Sequence, residues 1–86
     1  MSNADDERRE PTRTYTNRGI PLPGLRPARQ RLGLTQRQLA SLAGIGHGTI
    51  SKLERFERGA YPQTLQKLAV ALEVTPADLV EGRVDE

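Results

Sequence analysis

The stretch Leu34–Arg55, LTQRQLASLAGIGHGTISKLER, decides how this chain folds. Thr35 followed three residues later by Gln38 spells a capping box, in which each side chain satisfies a free backbone N–H at a helix start. Leu39, Leu42 and Ala43 then recur at helical spacing, and Gly44 supplies the left-handed residue that ends the helix. A second periodic run opens near His47 and extends to about residue 56, with Ile50, Leu53 and Phe56 on its inner face. Only Gly44-Ile45-Gly46 separates the two runs. So short a turn forces the helices to cross steeply, which demands a small side chain where their axes approach, and Ala40 provides it. Leu39, Ala43, Ile45, Ile50 and Leu53 form one apolar seam under both helices. The start of the second helix is left protruding.

Working outward, Leu25, Ala28 and Leu32 place a helix before this pair, stopped by Gly33. Pro27 is tolerated there because a first-turn residue needs no intrahelical N–H. Downstream, Glu57 to Tyr61 reads as a loop centred on Gly59. Pro62 opens a fourth helix with the stripe Leu65, Leu68, Ala69 and Leu72. Thr75, Pro76 and Asp78 start a short fifth helix carrying Leu79 and Val80. No alternating β-branched run exists, so no sheet is expected. The fold class is all-α: a compact five-helix domain over residues 24–80, with a C-terminal tail over 81–86. Residues 1–23 hold hardly any apolar side chain before Ile20 and are expected to form a flexible N-terminal arm. Ser2, Asn3 and Ala4 carry no functional weight.

The 86 residues suffice for one small domain, whose modest core makes self-association a natural source of stability. There is no cysteine, which removes disulfides and thiolate metal sites and fits a reducing cytoplasm. A single histidine builds no metal site. No apolar run is long enough for a membrane span, and the charged N-terminus is no secretory signal. The net charge of +2 conceals an asymmetry. Residues 25–60 carry seven basic and two acidic side chains, whereas residues 61–86 carry two basic and five acidic ones. A basic half joined to an acidic half suits a face turned toward a polyanion, although a mixed solvated surface has the same composition. Glu54, Glu57, Glu73, Asp78 and Glu81 form no acid–base pair on a recognisable pocket, and no glycine-rich phosphate loop follows a strand. Neither an enzyme nor a cofactor is expected.

From Leu25 to about Val80 the sequence resembles the Cro/C1-type (Xre-like) helix-turn-helix family of phage repressors and bacterial regulators. The resemblance rests on Leu34-Thr35-Gln36-Arg37-Gln38-Leu39-Ala40, Ala43-Gly44-Ile45 and Thr49-Ile50-Ser51-Lys52-Leu53-Glu54-Arg55. It continues through Pro62, Thr64-Leu65-Gln66-Lys67-Leu68-Ala69 and Leu72-Glu73-Val74-Thr75. It implies a lambda-repressor-like domain that binds double-stranded DNA as a homodimer and regulates transcription, with repression as the expected direction. By position, Gln36 matches a phosphate-holding residue, and His47, Gly48, Thr49 and Lys52 match the recognition-helix residues that face DNA. Lys52 has the chemistry to reach guanine O6 or N7, and Thr49 that to touch a thymine methyl or a phosphate. Arg55 and Arg58 sit where the chain leaves the groove and reach the backbone, and Gln63 and Thr64 offer helix N–H groups to another phosphate. Arg29 and Glu54 match a pair that the family buries as a salt bridge.

Gly46-His47-Gly48 departs from the family by lacking long polar side chains. It reads either as close backbone approach to DNA or as weak base readout with specificity taken from DNA shape; His47 is either a DNA contact or an ordinary surface residue. Val74, Leu79, Val80 and Val84 are the apolar residues left for a dimer contact on the fifth helix, unless Leu79 closes the monomer core. Of Arg8, Arg9, Arg13 and Arg18 in the arm, Asp5, Asp6, Glu7 and Glu10 leave only Arg13 and Arg18 free, so the arm either reaches into the minor groove or along the backbone or has no function. The alternative function is an antitoxin-type interaction module that neutralises a toxin-like protein partner and binds DNA secondarily.

Overall fold

The turn signals and apolar stripes resolve into five helices in the computed structural model, which describes residues 19–83. They are α1 (Leu25–Arg31), α2 (Gln36–Ala43), α3 (His47–Glu54), α4 (Pro62–Leu72) and α5 (Pro76–Glu81). The Thr35/Gln38 capping box is formed in both directions, and a second one joins Thr75 and Asp78 at the start of α5. Prolines open α4 and α5. α2 packs against α3 and α4, α4 against α5, and α1 against α3. Leu25, Leu39, Ile50, Leu68, Leu72 and Leu79 have no exposed surface, so every helix contributes to one core.

Residues 19–23 belong to the folded domain, which corrects the expectation of an arm reaching to residue 23. Ile20 and Leu22 are buried in the common core. Ile20 exchanges both backbone hydrogen bonds with Ala60, each 2.8 Å, as an isolated antiparallel bridge. The chains cross so closely that a Cβ on Gly59 would lie 2.4 Å from the Gly19 carbonyl carbon, so glycine is required there. Two apolar residues spaced among prolines gave no periodic signal; their burial depends on a partner about forty residues away. The rest of the expected arm, residues 1–18, lies outside the described residues, as does Val84.

Three apolar assignments also change. Leu42 is 63% exposed although its spacing put it on the inner face of α2, and Leu32 lies beyond α1, partly exposed. The helix ends at Glu54 rather than at about 56, and Phe56 stands 62% exposed in the following turn. Leu79 is fully buried and closes the monomer core, so it is unavailable as a dimer contact; Val74 and Val80 are partly buried against the same core.

Candidate nucleic-acid interface

α3 is the centre of the candidate site. Its inner face, Ile50, Leu53 and Glu54, is buried, and its outer face carries His47, Gly48 and Lys52, all exposed. Gly48, Lys52 and Arg55 follow one another at four- and three-residue spacing and therefore form one outward stripe. Thr49 is half-buried at its edge. The helix starts at Gly46 with no side-chain cap, in contrast to the fully capped α2. The Thr49 N–H donates to the Gly46 carbonyl at 3.1 Å, while the N–H groups of His47 and Gly48, which precede it, are given no side-chain cap.

Beneath the helix, Glu54 anchors α3 to the two helices before it. Its side chain is fully buried and accepts from Arg29 Nε at 2.6 Å and from the other arm of that guanidinium at 2.9 Å. Such a two-pronged arrangement fits the planar fork of arginine to the carboxylate. Arg26 Nε donates at 3.3 Å and the Gln36 amide at 3.1 Å. Arg29 also donates to the Leu34 carbonyl at 2.7 Å, fixing the turn between α1 and α2. Burial by itself pushes the Glu54 carboxyl up, but the bonds from Arg29, Gln36 and Arg26, with the Arg29 charge, outweigh it and hold the group below the usual carboxylate range. The bond to Glu54 raises Arg29 in turn, against the opposing effect of its own burial. The pair therefore stays ionised at neutral pH.

The expected Arg29–Glu54 bridge is present. The engagement of Arg26 and Gln36 with the same carboxylate was not foreseen, because residues 18 and 28 positions away carry no sequence signal of convergence. Gln36, expected to hold a phosphate, spends one amide N–H on Glu54; the amide group retains a second. Arg55 lies on the solvent side and is held by Glu57 through Nε at 2.8 Å and a terminal nitrogen at 3.2 Å. Glu57 raises Arg55 through that bond and its charge, and is lowered by it. Arg58 is half-buried, and Gln63 and Thr64 begin α4, which no side chain caps. Among the described residues no group of acidic or histidine side chains could hold a metal, and no helix is long and apolar enough to cross a membrane.

The helix-turn-helix family model matches residues 25–79, which spans all of α1 to α4 and α5 as far as Leu79. The chain belongs to the Cro/C1-type helix-turn-helix family. That family is one of DNA-binding transcription regulators. The chain is 44% identical over 57 residues to the uncharacterized HTH-type transcriptional regulator RghRB of Bacillus subtilis (strain 168), a match covering 65% of this chain and 41% of that relative. The chain thus spans about two-fifths of that curated relative's length. It resembles the restriction-modification controller protein C.AhdI from Aeromonas hydrophila at 36% identity and a TM-score of 0.62, over 64% of this chain and 83% of the other. It resembles the P22 c2 repressor, solved in complex with a synthetic operator, at 32% identity and a TM-score of 0.66, over 71% and 96%. These relatives are a regulator, a controller and a repressor. They lend nothing to the antitoxin alternative.

Proposed function

We propose that this protein binds double-stranded DNA sequence-specifically as a homodimer and regulates transcription, by repression, from within the cytoplasm. The observation that carries the reading is the division of α3: a buried face locked by Ile50, Leu53 and Glu54, and an outward stripe of Gly48, Lys52 and Arg55. A helix held so firmly from behind presents its outer side chains in fixed register, which base readout needs. The P22 c2 repressor, bound to operator in its own structure, supports the same use of the fold.

In this reading Lys52 donates to a guanine edge, Thr49 lies against a thymine methyl or a phosphate, and His47 and Gly48 bring the uncapped helix start against the groove. Gln36 holds a phosphate with the amide N–H that Glu54 leaves free. Arg55 and Arg58 reach the backbone on the far side, Arg55 exchanging Glu57 for a phosphate. One recognition helix spans only a few base pairs, so two copies on half-sites about one helical turn apart supply usable affinity.

The test is selection of bound duplexes from a random pool, followed by measurement of complex mass. The expected product is a two-fold symmetric sequence with half-sites about 10 base pairs apart, bound by two protomers. Recovery of no preferred sequence would remove the proposal of specific binding.

A further inference from the structure

All five helices end in a residue with left-handed backbone. At α1, α2 and α5 that residue is Gly33, Gly44 or Gly82, with φ of 70°, 69° and 74°. At α4 it is Glu73, an exposed polar side chain, and at α3 it is Phe56, both with φ of 61°. The turn is fully formed around it: the Phe56 N–H donates to the Leu53 carbonyl at 3.2 Å, and the Glu57 N–H to the Lys52 carbonyl at 2.9 Å. This is the double bond pattern that glycine ordinarily closes, because a Cβ is disfavoured at its left-handed position. Among the described residues the phenyl ring is 62% exposed rather than packed into the core. A bulky side chain held in a disfavoured conformation and left in solvent points to a use outside the domain.

Its position identifies the use. Phe56 directly follows the outward stripe of α3 and stands between Arg55 and Arg58. Arg55 and Arg58 outnumber Glu57, which pairs with Arg55, so a second copy meeting at this turn would bring net like charge together, whereas an anionic surface would be drawn to the arginines. We infer that Phe56 is an apolar DNA contact at the edge of the recognition helix, its ring lying against the apolar part of a nucleotide, either deoxyribose carbons or a thymine methyl. This rests on the DNA-binding reading and adds to it a residue outside the polar contact set.

The inference requires stability and affinity to move in opposite directions. The probe is the duplex that the wild-type protein selects from random DNA, with Phe56→Gly, Phe56→Asn and Phe56→Tyr compared. Phe56→Gly should raise the melting temperature by about 4 °C, as removal of left-handed strain does in a domain this small. Phe56→Gly and Phe56→Asn should each weaken binding by about tenfold, the scale of one buried apolar contact, while Phe56→Tyr restores it. Replacing thymines of the duplex by deoxyuridine locates the contact. A matching loss for wild type that Phe56→Gly does not share assigns the thymine methyl, and no such loss assigns the deoxyribose. Equal affinity of wild type and Phe56→Gly would overturn the inference and leave the DNA reading intact. A fall in the mass of the free protein on Phe56→Gly, by sedimentation, would overturn it in favour of self-association. Failure of the wild-type protein to bind any duplex would overturn both.

Discussion

The two halves of the helix-turn-helix are equally long and oppositely built. α2 obeys every local rule: Thr35 and Gln38 cap its start reciprocally, no glycine interrupts it, and Gly44 closes it. α3 breaks three of them: its start at Gly46 is uncapped, Gly48 lies within its first turn, and Phe56 occupies the left-handed position. The first helix is stabilised largely by its own sequence. The second is held by what lies behind it, Ile50, Leu53 and the Glu54 cluster. Local rules give way on the surface that is free to meet a ligand, which is where a functional helix is expected to tolerate such conflict.

The comparison is broken most severely by removing the anchor. Arg29→Ala leaves Glu54 buried without its main partner and should destabilise the domain by about 3–5 kcal/mol in a urea titration. A loss no greater than that of an exposed charge would mean that α3 does not depend on Glu54. The same pair gives a pH dependence. Glu54 is held below its unfolded value, so its contribution is complete above about pH 4.3, the ordinary glutamate value, and is lost as pH falls through the lower folded value. Stability measured from pH 6 downward should fall in that acid range, and Glu54→Gln should flatten the fall.

The sharper contrasts are smaller. Thr35→Ala removes the cap of α2 and should cost about 1 kcal/mol. Gly48→Ala should act in the opposite direction on α3. A Cβ there meets nothing within 4 Å, and alanine is favoured over glycine in a helix by about 0.5–1 kcal/mol. Thermal melts of the two variants should therefore shift with opposite signs. If Gly48→Ala lowered stability, the view of α3 as locally unoptimised would fail.

Much of this was legible in the sequence because the signals were local. The five helices, the Thr35/Gln38 capping box and the left-handed turn at Gly44 follow from residues within four positions of one another. The Arg29–Glu54 bridge followed from family resemblance. What escaped was long-range or contrary to local preference. Ile20 and Leu22 gain burial only through the bridge to Ala60, and Arg26 and Gln36 reach Glu54 from different helices. Leu42 fits the inner stripe of α2 by spacing alone, yet it stands largely exposed at the edge of the α2–α4 contact. Phe56 was assigned inward because a phenylalanine at helical spacing normally is, and the left-handed turn at its own backbone diverted it.

The most direct test of the central claim is the binding of Lys52→Ala and Arg58→Ala to selected and random duplexes at several salt concentrations. The account predicts that Lys52→Ala loses about 1–3 kcal/mol on the selected site and relaxes preference at one or two positions. Arg58→Ala should weaken both duplexes alike and lower the slope of log affinity against log salt by about 1. Unchanged affinity of both variants for both duplexes would contradict the assignment of α3 and its flanking turn as the DNA-reading surface.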